Sequence, residues 1–154
     1  MDAISLLKDD HRKVEKLFAQ IKDKKDAADR DRLFAEIKTE LTVHTEIEEK
    51  LFYPAVLDAK VAHELVVESF EEHKQVKMVL ADLDQADKST ENWIGGLTVL
   101  MEDVQHHVKE EETELFPRVK KEILSERELE DLGKRMQELK TRELASVKGR
   151  RVSG

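Results

Sequence analysis

Six ionisable side chains stand where a helical core would place apolar ones: His11, His44, Glu48, His73, His107 and Glu111. A carboxylate or an imidazole left unpaired in a dry interior costs several kcal/mol, roughly, and a bound cation removes that cost. His44 with Glu48 and His107 with Glu111 both read H-x-x-x-E, so on a helix each pair stands one turn apart, about 6 Å along the axis, on one face. Four imidazoles with two carboxylates suit iron or another borderline transition ion. Calcium and magnesium prefer oxygen-only shells, and a structural zinc takes a single tetrahedral set. Six ligands therefore divide better between two ions than they fit around one. The chain has no Cys, which removes thiolate zinc sites, iron-sulfur clusters, disulfides and thiol nucleophiles. No residue is singled out as a catalytic acid, base or nucleophile.

The elements that must carry these residues follow from the apolar spacing. Five Gly and two Pro in 154 residues leave long stretches with apolar residues every three or four positions. The first runs from about Ala3 to Lys24, with Asp2 as N-cap and a seam of Ile4, Leu7, Val14, Phe18 and Ile21 that His11 interrupts. The second, about Asp29 to Leu57, aligns Phe34, Ile37, Leu41, Leu51 and Ala55 around His44 and Glu48. The third, about Val61 to Gln85, sets His73 among Val66, Phe70, Val76, Leu80 and Leu83. The fourth, capped by Ser89 or Thr90 and ending near Leu115, continues Trp93, Leu97, Leu100 and Val104 into His107 and Glu111. Short connections predict an all-α, up-down-up-down four-helix bundle over residues 1–120. Residues 121–154 add a C-terminal helix, opened by the S-x-x-E box of Ser125 and Glu128. That helix carries Leu129, Leu132, Met136 and Leu139 to its own bundle or to a partner, and ends in a basic tail expected to be disordered from about Lys148.

The chain also repeats itself. A shift of 62 lays DDHRKVEKLFAQI on EEHKQVKMVLADL, and a shift of 63 lays HTEIEEKLFYPAV on HVKEEETELFPRV, so two similar helix hairpins make the bundle. Charged residues at 40% and a net charge of −8 disfavour nucleic acid as a partner. No leader or long apolar run stands out, which predicts a cytoplasmic, non-membrane protein, either a monomer or a homodimer.

A His followed by H-x-x-x-E-E with LF and Pro, twice over, resembles the hemerythrin-like (HHE cation-binding) family across about residues 1–120. The resemblance implies a four-helix bundle around an oxo- or hydroxo-bridged centre of two iron ions. His11, His44, His73 and His107 would be terminal ligands, and Glu48 and Glu111 would bridge. It also implies a small-molecule ligand: dioxygen, peroxide or nitric oxide. Oxygen-carrying members have a further His where this chain has Lys77, and end the fourth-helix motif as H-x-x-x-x-D. Two octahedral ions offer about twelve positions, of which these ligands and a bridging oxygen fill about ten. The open positions favour a di-iron enzyme with catalase-like or peroxidase-like turnover of peroxide or other reactive oxygen and nitrogen species. The alternative is a non-enzymatic binder or sensor of dioxygen, nitric oxide or iron. Ferritin-like oxidase motifs are absent, since no Glu lies three residues before a His.

Tyr53, Glu15, Glu49 and Glu112 are the candidates to complete the shell. Tyr53 is the sole tyrosine, and ideal helix geometry turns it away from Glu48. Glu49 and Glu112, one position off the seam, are expected to support the site from outside or to be solvated, and Lys77 to reach for solvent. His63 lies about 15 Å along a helix from His73, and His106 is turned about 100° from His107, so neither is expected to ligate.

Overall fold

The computed structural model describes the backbone of residues 1–153 and the side chains of residues 1–149. Four long rods form the bundle. They are α1 (Ala3–Lys22), α2 (Ala27–Ile47) continued by the short α3 (Tyr53–Val56), α4 (His63–Gln85), and α5 (Glu91–Glu110) continued by the short α6 (Phe116–Arg118). A fifth, α7 (Glu126–Ser153), lies against α1 and α2. No described helix is long and apolar enough to cross a membrane.

The capping residues act as the sequence predicts. The Asp2 carboxylate accepts from the Ser5 N–H at 2.8 Å. Of the two candidates before α5, Thr90 is the cap, its hydroxyl accepting from the Trp93 N–H at 3.2 Å. Ser125 and Glu128 bond reciprocally, backbone to side chain, at 3.0 and 3.1 Å.

Two apolar clusters fill the bundle. Val14, Phe18, Ile21, Phe34, Ile37, Leu80, Trp93 and Leu100 are buried in one. Leu7, Ile47, Phe52, Val56, Val66, Phe116 and Val119 are buried in the other, together with Leu129, Leu132, Met136 and Leu139 of α7. The fifth helix therefore covers its own bundle. Its helical backbone continues past Lys148, where the sequence predicts the tail to begin. The rest of that expectation, on the last side chains and Gly154, lies outside the described residues.

The second and fourth rods depart from ideal α-geometry at matching places. Glu48–Phe52 and Glu111–Leu115 are π-helical turns, in which Tyr53 N–H donates to the Glu48 carbonyl and Phe116 N–H to that of Glu111. Pro54 and Pro117 are the second residue beyond each turn. Lacking an N–H, neither can make the α-helical bond to the carbonyl four residues back, which favours the looser turn. Each π turn inserts one residue into the helical count and rotates the next stretch of helix by about 100°. That shift corrects the predicted seam: Leu51 is half-buried and Ala55 exposed, while Phe52, Tyr53 and Val56 face the core.

Gly133 sets how closely α7 approaches α1. A Cβ there would lie 2.6 Å from the Asp2 carbonyl carbon and 2.7 Å from the Ala3 nitrogen, against backbone that cannot swing aside. Gly133→Ala should cost about 1–3 kcal/mol of stability. Gly95→Ala, with nothing within 4 Å of the added carbon, should gain about 0.5–1 kcal/mol from helix propensity. Denaturant midpoints of the two variants check the contrast, and equal effects would show that α7 does not dock so closely.

Candidate metal centre

The six seam-breaking residues meet in one buried layer between the two apolar clusters. His11, His44, Glu48 and Glu111 bring four ligand atoms within 4.8 Å of one another, and Glu48, His73 and His107 form a second such group. Glu48 belongs to both. Its Oε1 lies 3.1 Å from His44 Nε2 and 3.1 Å from His73 Nε2. Glu111 also spans the layer, with Oε1 3.1 Å from His11 Nε2 and Oε2 3.4 Å from His107 Nε2.

The outer face of each imidazole shows which nitrogen is free. Nδ1 of His11 lies 2.7 Å from Glu112, that of His44 3.0 Å from Asp10, that of His73 3.0 Å from Glu49, and that of His107 2.7 Å from Glu72. A carboxylate only accepts, so each Nδ1 carries a proton and donates, which aims Nε2 inward as the nitrogen that would offer its lone pair once a cation displaces any proton there. The arrangement matches the sequence repeat. The residue before the first His of each half, Asp10 or Glu72, holds the second His of its own half. The residue after each shared Glu, Glu49 or Glu112, holds the first His of the other half. These carboxylates are tied in turn to cations: Glu112 to Arg12, Asp10 to Lys140 at 2.5 Å and Glu49 to Lys77 at 3.1 Å. Lys77 is exposed, as expected of a charge that reaches for solvent, and also pairs with Glu49. Glu49 and Glu112 are the supports the sequence allows for, whereas Asp10 and Glu72 are missed; their position, one residue before a seam His, is the available signal.

Tyr53 enters this layer because of the π turn. Its hydroxyl donates to Glu111 Oε2 at 2.6 Å and lies 3.3 Å from Nε2 of both His73 and His107. The expectation from ideal helix geometry, that Tyr53 turns away, is corrected by the extra residue between Glu48 and Tyr53. Its repeat counterpart, Phe116, stacks on His11 at 6.0 Å between ring centroids. Glu15 stays outside, paired with Arg12 at 2.6 Å. His63 bonds the Leu57 carbonyl at 2.9 Å through Nδ1 and is exposed. His106 is exposed on the rim, 3.3 Å from Glu110.

Inward-facing imidazole nitrogens and carboxylate oxygens converge on one another. His44 Nε2 and Glu48 Oε2 have no hydrogen-bond partner although both are buried; the 3.1 Å approach of His44 Nε2 to Glu48 Oε1 lacks hydrogen-bond alignment. Such orphans are costly unless a cation or a proton fills the space. Metal–nitrogen bonds of about 2.0–2.1 Å at right angles put neighbouring donors about 3 Å apart, so the donor set fits metal ions.

Electrostatics agree. Burial alone would lower His44, but Glu48 and Asp10 outweigh it and raise it to about 10. His107 is likewise pulled up against its burial by Glu111, Glu48 and Glu72. Burial would raise Glu48, but His44 with other partners holds it well below 4.5. Burial and the charges of Glu111 and Glu48 push the Tyr53 phenol well above 10, so in the cation-free layer it stays a donor.

The family model described as Hemerythrin HHE cation binding domain matches residues 2–119. The chain belongs to the hemerythrin HHE cation-binding family. Among its relatives in this HHE family, an uncharacterized Mycobacterium tuberculosis protein, Rv2633c, is 30% identical over 141 residues, 88% of this chain and 83% of that one. A protein of Nostoc called DNA nickase is 27% identical over 126 residues; the match takes in 82% of this chain but only 36% of that protein. The crystal structure of an HHE cation-binding domain-containing protein, the Rv2633c homolog of Mycobacterium kansasii, superposes with a TM-score of 0.84 at 28% identity. It covers 95% of this chain and 89% of its own. The HHE fold thus holds across the length that includes α7.

Replacing His44 or His107 with Ala should release bound metal, measured by elemental analysis, while His63→Ala should keep it; loss on His63→Ala alone would break the seam assignment. The pH response has a defined sign. The raised His44 and His107 stabilise the metal-free fold fully below their ordinary 6.5, and His44 loses that contribution as pH climbs through about 10. The depressed Glu48 stabilises it above 4.5 and loses its contribution as pH falls below. Metal-free protein should therefore melt highest between about 4.5 and 6.5. The increase in Tm on adding metal should grow above 6.5, because the cation displaces those protons; a metal increment that shrinks with rising pH contradicts this.

Proposed function

We propose that the chain holds two iron ions, one beside His11 and His44 and one beside His73 and His107, with Glu48 and Glu111 shared between them, and that it turns over peroxide and related reactive oxygen or nitrogen species. The unequal pair Tyr53 and Phe116 carries this reading. The tyrosine puts an oxygen donor among His73, His107 and Glu111, where it would serve as a further ligand to a bound ion. The phenylalanine offers none at the equivalent place by His11. An ion on the His11 and His44 side would thereby keep a position that no protein atom fills.

A cavity of about 20 Å³ adjoins the layer, lined by His11, His44, His73 and His107 together and walled by Val14, Leu41, Val76, Val104 and Val108. One water needs about 10–15 Å³ by the same measure. The space therefore suits dioxygen, peroxide or nitric oxide and turns away larger substrates. Two adjacent irons, when bound, supply the exchange of two electrons. Over a cycle, one peroxide is oxidised to dioxygen and a second is reduced to two waters. The chain does the rest. Four Nδ1-to-carboxylate bonds keep each Nε2 available, the valines limit water, and the Tyr53 hydroxyl holds on Glu111 Oε2, in the cation-free layer, the proton that it would give up on becoming a ligand. The seating of α7 on its own bundle favours a monomer. The nicking activity named for the Nostoc protein is not carried over to this chain, which matches 36% of that protein and has a net charge of −8.

Iron-loaded protein should evolve dioxygen from peroxide at about half the molar amount of peroxide consumed. Tyr53→Phe should keep the fold, lose the visible absorption of a phenolate on ferric iron, and turn over at least about tenfold more slowly. A wild-type protein that evolves no dioxygen yet forms a long-lived, reversible dioxygen complex would replace the enzyme reading with that of a binder or sensor.

A further inference from the structure

We propose that Lys140, acting through Asp10, positions the His44 imidazole for its metal ion, which makes the C-terminal helix a working part of the metal centre. The inference rests on the two-ion reading. Lys140 Nζ donates to Asp10 Oδ1 at 2.5 Å, and Asp10 Oδ2 accepts from His44 Nδ1 at 3.0 Å. His44 Nε2 is the buried nitrogen that has no hydrogen-bond partner. One unbroken line of contacts thus runs from α7 to an open donor atom.

Burial explains why this imidazole needs help from a fifth helix when the others do not. The carboxylates that hold His107, His11 and His73 are 18%, 20% and 26% exposed, so water reaches them. Asp10 is 3% exposed. Its second oxygen has to be satisfied by protein, because an unpartnered carboxylate oxygen in a closed interior carries the full cost of desolvation. Lys140 meets that need with a full charge and a short bond. With the ammonium gone, Asp10 keeps His44 as its one side-chain partner and is free to turn, and the plane of the imidazole turns with it.

The approach of α7 is built for this contact. Gly133 lies against the backbone of Met1 to Ala3. Seven residues further along each helix, about 10.5 Å or two turns, Lys140 meets Asp10. The repeat has no second copy of α7, and the counterpart of Asp10, Glu72, faces the exposed His106 at 3.6 Å. The relay therefore serves only the His11 and His44 side, the one that keeps an open position.

The test is titration of metal-free, full-length protein with cobalt(II), monitored by visible absorption, on wild type, Lys140→Met, Lys140→Arg and Met136→Ala. Wild type should take up two equivalents. Lys140→Met should weaken one of the two by about 10- to 100-fold, the usual effect of losing an outer partner of a metal-bound His, and Lys140→Arg should restore most of that loss. Met136→Ala, which loosens the same helix through its apolar face, should lower Tm while keeping both equivalents. Two equivalents of wild-type affinity in Lys140→Met overturn the relay and leave the two-ion reading standing. Equal weakening in Met136→Ala and Lys140→Met also overturns it, since helix docking alone would then account for the effect. A wild type that takes up no cobalt overturns the two-ion reading and the relay with it.

Discussion

The rest of the molecule is arranged around one electrostatic constraint: six ionisable groups occupy the middle of a helical core and must be neutralised there. Each is buried at a point where the helix repeat calls for an apolar side chain, and desolvation would expel any of them singly. Outer carboxylates take the Nδ1 protons, cations at the surface balance those carboxylates, and the inward Nε2 atoms and shared Glu oxygens are left to a bound ion. The apolar clusters on either side do more than stabilise the fold. By keeping water out of the layer, they strengthen every charge interaction inside it.

Two similar hairpins give this layer an approximate twofold symmetry, and the chemistry lies in the departures from it. Tyr53 faces Phe116 across the pseudo-axis, so one side has an extra oxygen donor and the other has a flat apolar ring. Asp10 is sealed and tied to α7, whereas its counterpart Glu72 sits at the rim with His106. A symmetric pair of ions would offer small ligands two equivalent positions. On the proposed two-ion reading, the unequal surroundings would direct a ligand to one side, and the apolar walls would restrict it to a few atoms.

The central layer was legible in the sequence because a helix has a fixed period. His11, His44, Glu48, His73, His107 and Glu111 stood out as polar residues on apolar seams, and the repeat of 62 or 63 residues brought them into register. Caps at Asp2, Thr90 and Ser125 were readable for the same local reason. The position of Tyr53 was not, since one inserted residue in a π turn reverses a face assignment and ideal α-geometry has no place for it. Pro54 and Pro117, each six residues after a seam Glu and matched in the repeat, were the signs of it. The docking of α7 and the Lys140 to Asp10 bond were also hidden. They depend on a contact between residues 130 positions apart, which periodicity along a single helix cannot encode.

The most direct test is a crystal structure of iron-loaded protein with anomalous scattering recorded at the iron edge. Two iron positions are expected, one beside His11 and His44 and one beside His73 and His107, with Glu48 and Glu111 reaching both and the Tyr53 oxygen on the second alone. A single iron in the layer, or iron only at the exposed rim group of Glu68, Glu72, His106 and Glu110, would contradict it.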